Sequence, residues 1–564
     1  MVPRRPEEPG PDSGRGEAAR GRIDRRRLLE CAAACLPLVY FAASGLRHLE
    51  RPALYHDELL FIAPAMDAGP WRFRIISYIG ALKACLYVPV FAYWDVSPAS
   101  VRVPSLLVAV VTLALFYAFL RGRVGWPFAW AGLAVLGLDP AFGFLTRVDY
   151  GPNALMHALK AASLLLLASF LERGAVAALW ALVAALLLGL YDKLNFVWII
   201  LALGAATVVA HGGTLYARLR ERPAAGLAPL IVLAGVTATV FLVAIRPLLA
   251  ETQPGTGSPV SYRARVPLIL GLVQRTVDGA EPYNWAALTD RLPPTGVFVA
   301  LHGMVMVNGL VAWRRRRQAG TADRSRRRWL LFLLTCEAAV LAQMVYTRAA
   351  HGPHHAMLLW PLPHLAAVLS AVLAIRPGVA TPARRRGRQA LIAGNALAFL
   401  FIVAAHGRTA SRYADLYRGE TALGPRFDTR VYDLGAFLDE RRDRFHTIVV
   451  LDPGLAQPLR ALARRGERMR VRNLWPAFQR PVEGEQEGRR LLRRHFPGGR
   501  IVLALSFRRD LPVEATIGRN WRRFVQQTLG DRVSAHAELF GLFEAWCVSG
   551  KDDCGLQGLT APGP

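Results

Sequence analysis

Apolar runs recur through roughly the first 400 residues, at 28–46, 102–120, 124–145, 153–171, 175–190, 195–210, 227–245, 296–313, 329–346, 355–375 and 390–406. A helix rises 1.5 Å per residue, so about 20 such residues cross a hydrocarbon core of about 30 Å. The pattern predicts an all-α polytopic membrane protein with about eleven transmembrane helices. Beyond 407 the pattern changes. Short apolar strand candidates at 447–452, 468–475 and 500–507 alternate with amphipathic helix candidates at 431–442, 454–466, 483–496 and 517–531. That alternation predicts a small soluble α/β domain over 407–564. Residues 1–27 are rich in Arg, Gly and Pro without apolar periodicity, and read as a disordered cytoplasmic tail. The run at 28–46 is long enough to read as a retained anchor rather than a cleaved signal.

Charge then orients the chain. Of 564 residues 53% are hydrophobic and only 20% charged, yet the net charge is +28. The apolar runs exclude a soluble enzyme, a disordered protein and a secreted disulfide mini-protein. The basic surplus invites nucleic acid, but it sits in short clusters between apolar runs (Arg25–Arg27, Arg314–Arg317 with Arg326–Arg328, Arg384–Arg386), the signature of cytoplasmic loops. No nucleic-acid partner is expected. Loops on one side of the spans hold 19 basic residues, and those on the other hold 8. The richer set faces inward. This parity requires that 78–94, short and carrying Lys83 and Pro89, does not cross. It becomes an outer-leaflet or re-entrant piece within one external loop, 47–101. The transmembrane domain spans 28–406 and has a second large external loop at 246–295; the C-terminal domain lies outside. Cys547 and Cys554, close together in that domain, are expected to form a disulfide.

In this topology ionisable residues gather on the external side: Asp57 and Glu58, Lys83, Arg102, Arg147 and Asp149, Lys193, then Arg348, His351, His354 and His355. Charge at a membrane boundary is costly unless paired or used, so this layer is the candidate site. Consecutive helical side chains diverge by about 100°, so only one of Asp57 and Glu58 points into a given site.

The order of these motifs resembles the GT-C-type membrane glycosyltransferases, especially the protein O-mannosyltransferases and the lipid A aminoarabinose transferases. Asp57-Glu58 soon after the first span is followed by Gly80, Lys83 and Tyr87, an Arg-x-Pro-Ser entry at Arg102, an Arg-x-Asp at Arg147 and Asp149, and a lysine turn at Lys193. The resemblance covers 28–210 well, the later spans loosely and the C-terminal domain hardly at all. The 78–94 segment lacks the family's Lys-Pro-Pro run, which leaves sugar and acceptor open. The resemblance implies transfer of a sugar from a polyprenyl-phosphate donor to a lipid, glycan or protein acceptor on the external (periplasmic) face of an inner membrane. Asp57 would be the base of an inverting displacement, with Glu58 and Asp149 as further catalytic carboxylates. Lys83, Arg147, Lys193, Arg348, His354 and His355 would meet the donor phosphate.

Each residue has a structural alternative. Asp57 and Glu58 suit the start of an interfacial helix, Arg147 and Asp149 can pair and cap the next span, and Lys193 can snorkel. Arg348 can be a flanking anchor. The 351–355 histidines have a spacing that could hold a divalent ion, but Gly352 and Pro353 interrupt it; no cofactor is obligatory, and hydrogen bonding to phosphate or sugar is preferred. Tyr262, Tyr283 and Trp285 in the 246–295 loop are acceptor-stacking candidates that also suit a membrane interface. Two other functions stay open: a transporter of lipid-linked sugars, and a catalytically silent scaffold of the same architecture.

Overall fold

The computed structural model describes residues 25–66, 74–76, 78–247, 261–315, 320–347, 352–375, 382–445, 447–462, 470–482, 484–496, 501–508, 515–548 and 556. Among them, 8 helices are long and apolar enough to cross a membrane: Leu29–Leu46, Pro98–Val124, Asn153–Arg173, Leu194–Glu221, Pro223–Ile245, Val297–Arg314, Thr321–Tyr346 and Arg385–Arg418. The expected spans at 175–190 and 355–375 are shorter apolar helices, Val176–Asp192 and Leu362–Ile375. The span expected at 124–145 is two helices, Trp126–Gly137 and Pro140–Arg147, bent by 58°. Asp139 and Pro140 cause the break. Proline brings no N–H to the ladder, and the Asp139 carboxylate accepts from Phe142 N at 3.0 Å, starting a new helix.

Apolar side chains such as Leu201, Val208, Ile231, Val243, Met306 and Leu397 stay exposed on the spans, as lipid-facing residues do. Inside, Asn308 and Asn395 exchange amide hydrogen bonds of 2.7 and 3.0 Å, joining the Val297–Arg314 helix to the last span.

The 47–101 loop holds a short helix, His56–Leu60, then an antiparallel hairpin of β1 (Arg74–Ile76) and β2 (Ile79–Gly80), then the helix Leu82–Tyr93. Twelve residues rise about 18 Å, too little to cross the core, in keeping with a segment that does not span. Gly80 must be glycine, because a Cβ there would meet the Tyr191 carbonyl oxygen at 2.2 Å.

The last span runs on as one helix, Pro382–Arg418, past the boundary expected at 407. The C-terminal domain is built on a sheet of order β4-β3-β5-β7-β6. β3 (Thr447–Val450), β4 (Val471–Asn473) and β5 (Val502–Phe507) fall on the three expected strands and are parallel; β6 (Val533–Leu539) and β7 (Phe543–Val548) add an antiparallel edge. Strand alternation splits the core. Ile448, Val450, Leu503 and Leu505 meet Leu434, Leu438 and Leu459 on one face, while Val449, Val502 and Ala504 meet Leu491, Ile517 and Trp521 on the other. Helices on both faces of a sheet make a three-layer α/β domain. Cys547 in β7 is disulfide-bonded; Cys554 lies outside the described residues.

The domain is fastened to the loop before Asp57. Ala53 N donates to the Phe427 carbonyl at 2.8 Å, Leu54 N donates to the Tyr432 hydroxyl at 3.0 Å, and that hydroxyl donates to the Glu50 carbonyl at 3.2 Å.

Candidate active site

Arg102, with no exposed surface, projects from the Pro98–Val124 helix into the 49–58 loop. Its guanidinium forks onto Glu58, Nε to Oε1 at 2.8 Å and Nη2 to Oε2 at 2.9 Å. It also donates to the carbonyls of Leu49 (2.5 Å), Pro52 (2.7 Å) and Ala53 (3.2 Å). Glu58 Oε2 accepts from Tyr55 N at 3.2 Å. Bidentate, sealed and fully hydrogen-bonded, this pair is a clamp. Glu58, expected among the catalytic carboxylates, has its oxygens committed to holding the loop. Its neighbour, turned about 100° around the helix, faces elsewhere.

Asp57 lines a cavity of about 550 Å³ together with Tyr55, His56 and Arg426, and with Trp475 and Thr516 of the α/β domain. The Tyr150 hydroxyl donates a hydrogen bond to its carboxylate. Burial pushes the Asp57 carboxyl up to about 6, against the opposing pull of Tyr150, Arg426 and Lys193. Burial likewise holds the His56 imidazole down at about 4, so it is neutral near pH 7.

Lys193 follows the Val176–Asp192 helix in a turn that is hydrogen-bonded to β2: Ile79 and Lys193 form an antiparallel bridge, and Leu194 N donates to the Tyr78 carbonyl at 3.0 Å. The ammonium is buried, which draws it down to about 8, while the carboxylates of Asp192, Asp149 and Asp57 act in the other direction. Its Nζ lies where a Cβ on Gly151 would meet it at 2.9 Å, and the φ of +70° at Gly151 is a backbone conformation that favours glycine.

Lys83, on the Leu82–Tyr93 helix, pairs with Asp149 at 2.7 Å, both side chains buried. Asp149 Oδ2 accepts from Ser105 Oγ at 3.2 Å, and Oδ1 accepts from Ala154 N at 2.9 Å, capping the Asn153–Arg173 helix. The capping expectation holds; the Arg147 pairing does not. Arg147 instead donates to the carbonyls of His48 and Arg51 (2.9 Å for the latter) and stacks 4.1 Å over the Tyr417 ring. It lines a second cavity, of about 520 Å³, with Ser44, Tyr413 and Arg418.

Aromatic rings cluster around Tyr150, the hydrogen-bond partner of Asp57. Trp285 lies 4.6 Å from Tyr150, 5.2 Å from Tyr55 and 4.6 Å from Phe427. His354 sits 4.7 Å from the Tyr150 ring and 4.1 Å from the His355 ring, and His355 lies 6.0 Å from Trp198. Tyr283 is a correction to its acceptor role: with no exposed surface and its ring edge-on to Tyr413, it has no face left for a sugar. Tyr262 is exposed and stacks on Tyr346 at 6.1 Å. Arg348 and His351 lie outside the described residues.

Sequence reasoning passed over four participants. Tyr150 and Asp192 adjoin residues it singled out, so proximity in sequence was their only signal. Arg426 and Trp475 come from segments treated as a separate domain, and nothing local marks them. Among the described residues, no set of three His, Cys, Asp or Glu ligand atoms closes around Asp57.

This architecture, a helical membrane bundle with a C-terminal sheet domain, is a GT-C-like fold. The chain is similar in structure to ArnT from Cupriavidus metallidurans in the apo state, with 13% identity and a TM-score of 0.54 over 94% of this chain and 100% of that one. It is also similar to ArnT from the same organism bound to undecaprenyl phosphate, with 14% identity and a TM-score of 0.51 over 96% and 100%. No protein-family model and no curated protein matches the sequence.

Proposed function

We propose that this protein is an integral membrane glycosyltransferase that moves a sugar from a polyprenyl-phosphate donor to an acceptor on the external face, with inversion and with Asp57 as base. One observation carries the reading: a half-buried carboxylate, raised toward neutrality, lines a cavity large enough for a sugar and stands within electrostatic reach of a buried lysine. A base works best with a pKa near the operating pH. The fold adds support, since one ArnT structure of this architecture holds undecaprenyl phosphate.

Asp57 takes the acceptor hydroxyl proton as that oxygen attacks the anomeric carbon opposite the phosphate. The carbon–oxygen bond to phosphate breaks, and its electron pair leaves on the polyprenyl phosphate. Lys193 and Lys83 meet the growing phosphate charge, Asp149 holding Lys83 in place. Tyr150 steadies the Asp57 carboxylate, and Glu58 with Arg102 fixes the loop that carries it. Trp285 offers a ring face to the sugar, and His354 and His355 offer hydrogen bonds to sugar or phosphate. The distribution of basic loops supports a cytoplasmic N-terminus and a site on the external face of an inner membrane.

The test is turnover. Protein in lipid nanodiscs, given a panel of polyprenyl-phosphate sugars, releases polyprenyl phosphate only when an envelope extract supplies acceptor. Absence of acceptor-dependent release across the panel overturns the proposal.

A further inference from the structure

Away from the Asp57 cavity, three ionisable side chains from separate elements meet inside the bundle. Asp139 stands at the break between Trp126–Gly137 and Pro140–Arg147, His364 is on Leu362–Ile375, and His406 is on the last long helix. They are 1%, 2% and 0% exposed, and each offers one ligand atom within 4.8 Å of the others. We propose that Asp139, His364 and His406 form a binding site for one zinc-class divalent ion, a staple that ties the last span to the bend and to Leu362–Ile375.

The argument starts from what these side chains lack. Both ring nitrogens of His364 and both of His406 are buried without a hydrogen-bond partner. Buried polar atoms are normally paired, and four orphaned nitrogens together demand an occupant. Nor do the groups satisfy one another. His364 Nε2 lies 3.6 Å from Asp139 Oδ2, too far for a hydrogen bond. Two ligands on one tetrahedral zinc, each about 2.0–2.1 Å from the ion, stand about 3.4 Å apart. The spacing fits a shared ion better than a shared proton.

The surroundings orient the carboxylate as metal sites do. Trp360 Nε1 donates to Asp139 Oδ2 at 2.9 Å and Phe142 N donates to Oδ1 at 3.0 Å, so the carboxylate is aimed before any ion arrives. Two imidazoles and one carboxylate suit zinc and its neighbours rather than magnesium or calcium, which prefer all-oxygen ligands. Asp139 also borders the second cavity, of about 520 Å³, which offers an entry path to the site. None of the three residues lines the Asp57 cavity. The ion's role is to hold helices together, and the proposal stands independently of the transfer reaction.

The experiment is metal analysis of full-length protein purified by a tag without histidine and without chelator. We expect zinc in stoichiometric amount in the wild type and in Asp57→Asn, and binding about a hundredfold weaker in His406→Ala. Chelation lowers the wild-type melting temperature and leaves that of His406→Ala unchanged. Should the variant misfold, cobalt added to chelated wild type serves instead, giving the visible absorption of a low-coordinate nitrogen–oxygen site. A wild type that holds no zinc and takes up neither zinc nor cobalt overturns the proposal, as does a folded His406→Ala that keeps its zinc.

Discussion

Lys83 Nζ stands 2.7 Å from Asp149 Oδ2 with both side chains almost sealed from solvent. The pair joins the short helix of the 47–101 loop to the start of the Asn153–Arg173 span. Removing one partner strands a buried charge, which typically costs about 3–5 kcal/mol. Lys83→Met should therefore lower thermal stability in detergent by roughly that amount. Lys83→Met with Asp149→Asn should recover most of it, because neither charge remains, yet should not recover donor affinity. Recovery of both would reduce Lys83 to a structural residue.

The Glu58–Arg102 clamp predicts a loss of another kind. Arg102→Lys keeps the charge but cannot hold the carboxylate by a fork and three carbonyls at once. Stability should fall by about 3 kcal/mol or more. Activity per folded molecule should fall as well, because the Asp57 loop loosens. Wild-type turnover by the folded fraction would mean that the clamp does not position Asp57.

The titration of the site gives a pH profile with a definite sign. Asp57, raised to about 6, is a base only once deprotonated, so kcat/KM rises through about pH 6. Lys193, drawn down to about 8, loses its charge above that pH, so kcat/KM falls again. His56, held at about 4, contributes no limb in that window. Lys193→Arg should move the alkaline limb upward, since guanidinium stays protonated. A pH-rate series on the two proteins checks this.

Burial that raises the Asp57 carboxyl makes its ionised form costly in the folded state. The folded protein binds the proton more tightly than the unfolded chain, so this group's contribution to stability falls as pH rises from about 4 to 6 and is fully lost above. A shift of about two units corresponds to about 3 kcal/mol at neutral pH. Asp57→Asn should thus melt no lower than wild type at pH 7 while losing transfer. A variant that melts well below wild type would remove the case for a strained base.

The α/β domain forms one wall of the Asp57 cavity through Trp475, Gln479 and Thr516. Trp475→Ala should raise KM for the acceptor roughly fivefold to tenfold, about 1 kcal/mol, with kcat little changed. Steady-state kinetics separate the two.

Much of this was legible in the sequence because hydrophobic length is a local property. The apolar runs fall on helices, the 124–145 run broken into two, and 78–94, short and carrying Lys83 and Pro89, holds only the twelve-residue helix Leu82–Tyr93. The helix break at 139–140 was missed although Asp-Pro is a helix-start signal, since apolar run length overrode it. β6 and β7 escape the sequence pattern because β7 is buried on both faces and lacks clean alternation, while β6 pairs only with it. Within the site, the sequence places Asp57, Lys83, Asp149 and Lys193 in one layer of ionisable residues, but it does not give their pairings. The Lys83–Asp149 and Arg102–Glu58 pairs span 66 and 44 positions, and only folding reveals which cation meets which carboxylate. His364 and His406 carried no signal at all, each a lone histidine in an apolar run.

The central claim is that Asp57 removes the acceptor proton, and a single-turnover measurement tests it most directly. Wild type and Asp57→Asn, loaded with the same polyprenyl-phosphate sugar in nanodiscs, are mixed with acceptor and the released polyprenyl phosphate is followed in time. The account predicts equal donor loading and release slowed by about 10²–10⁴-fold in Asp57→Asn. Equal loading with release at the wild-type rate would contradict it.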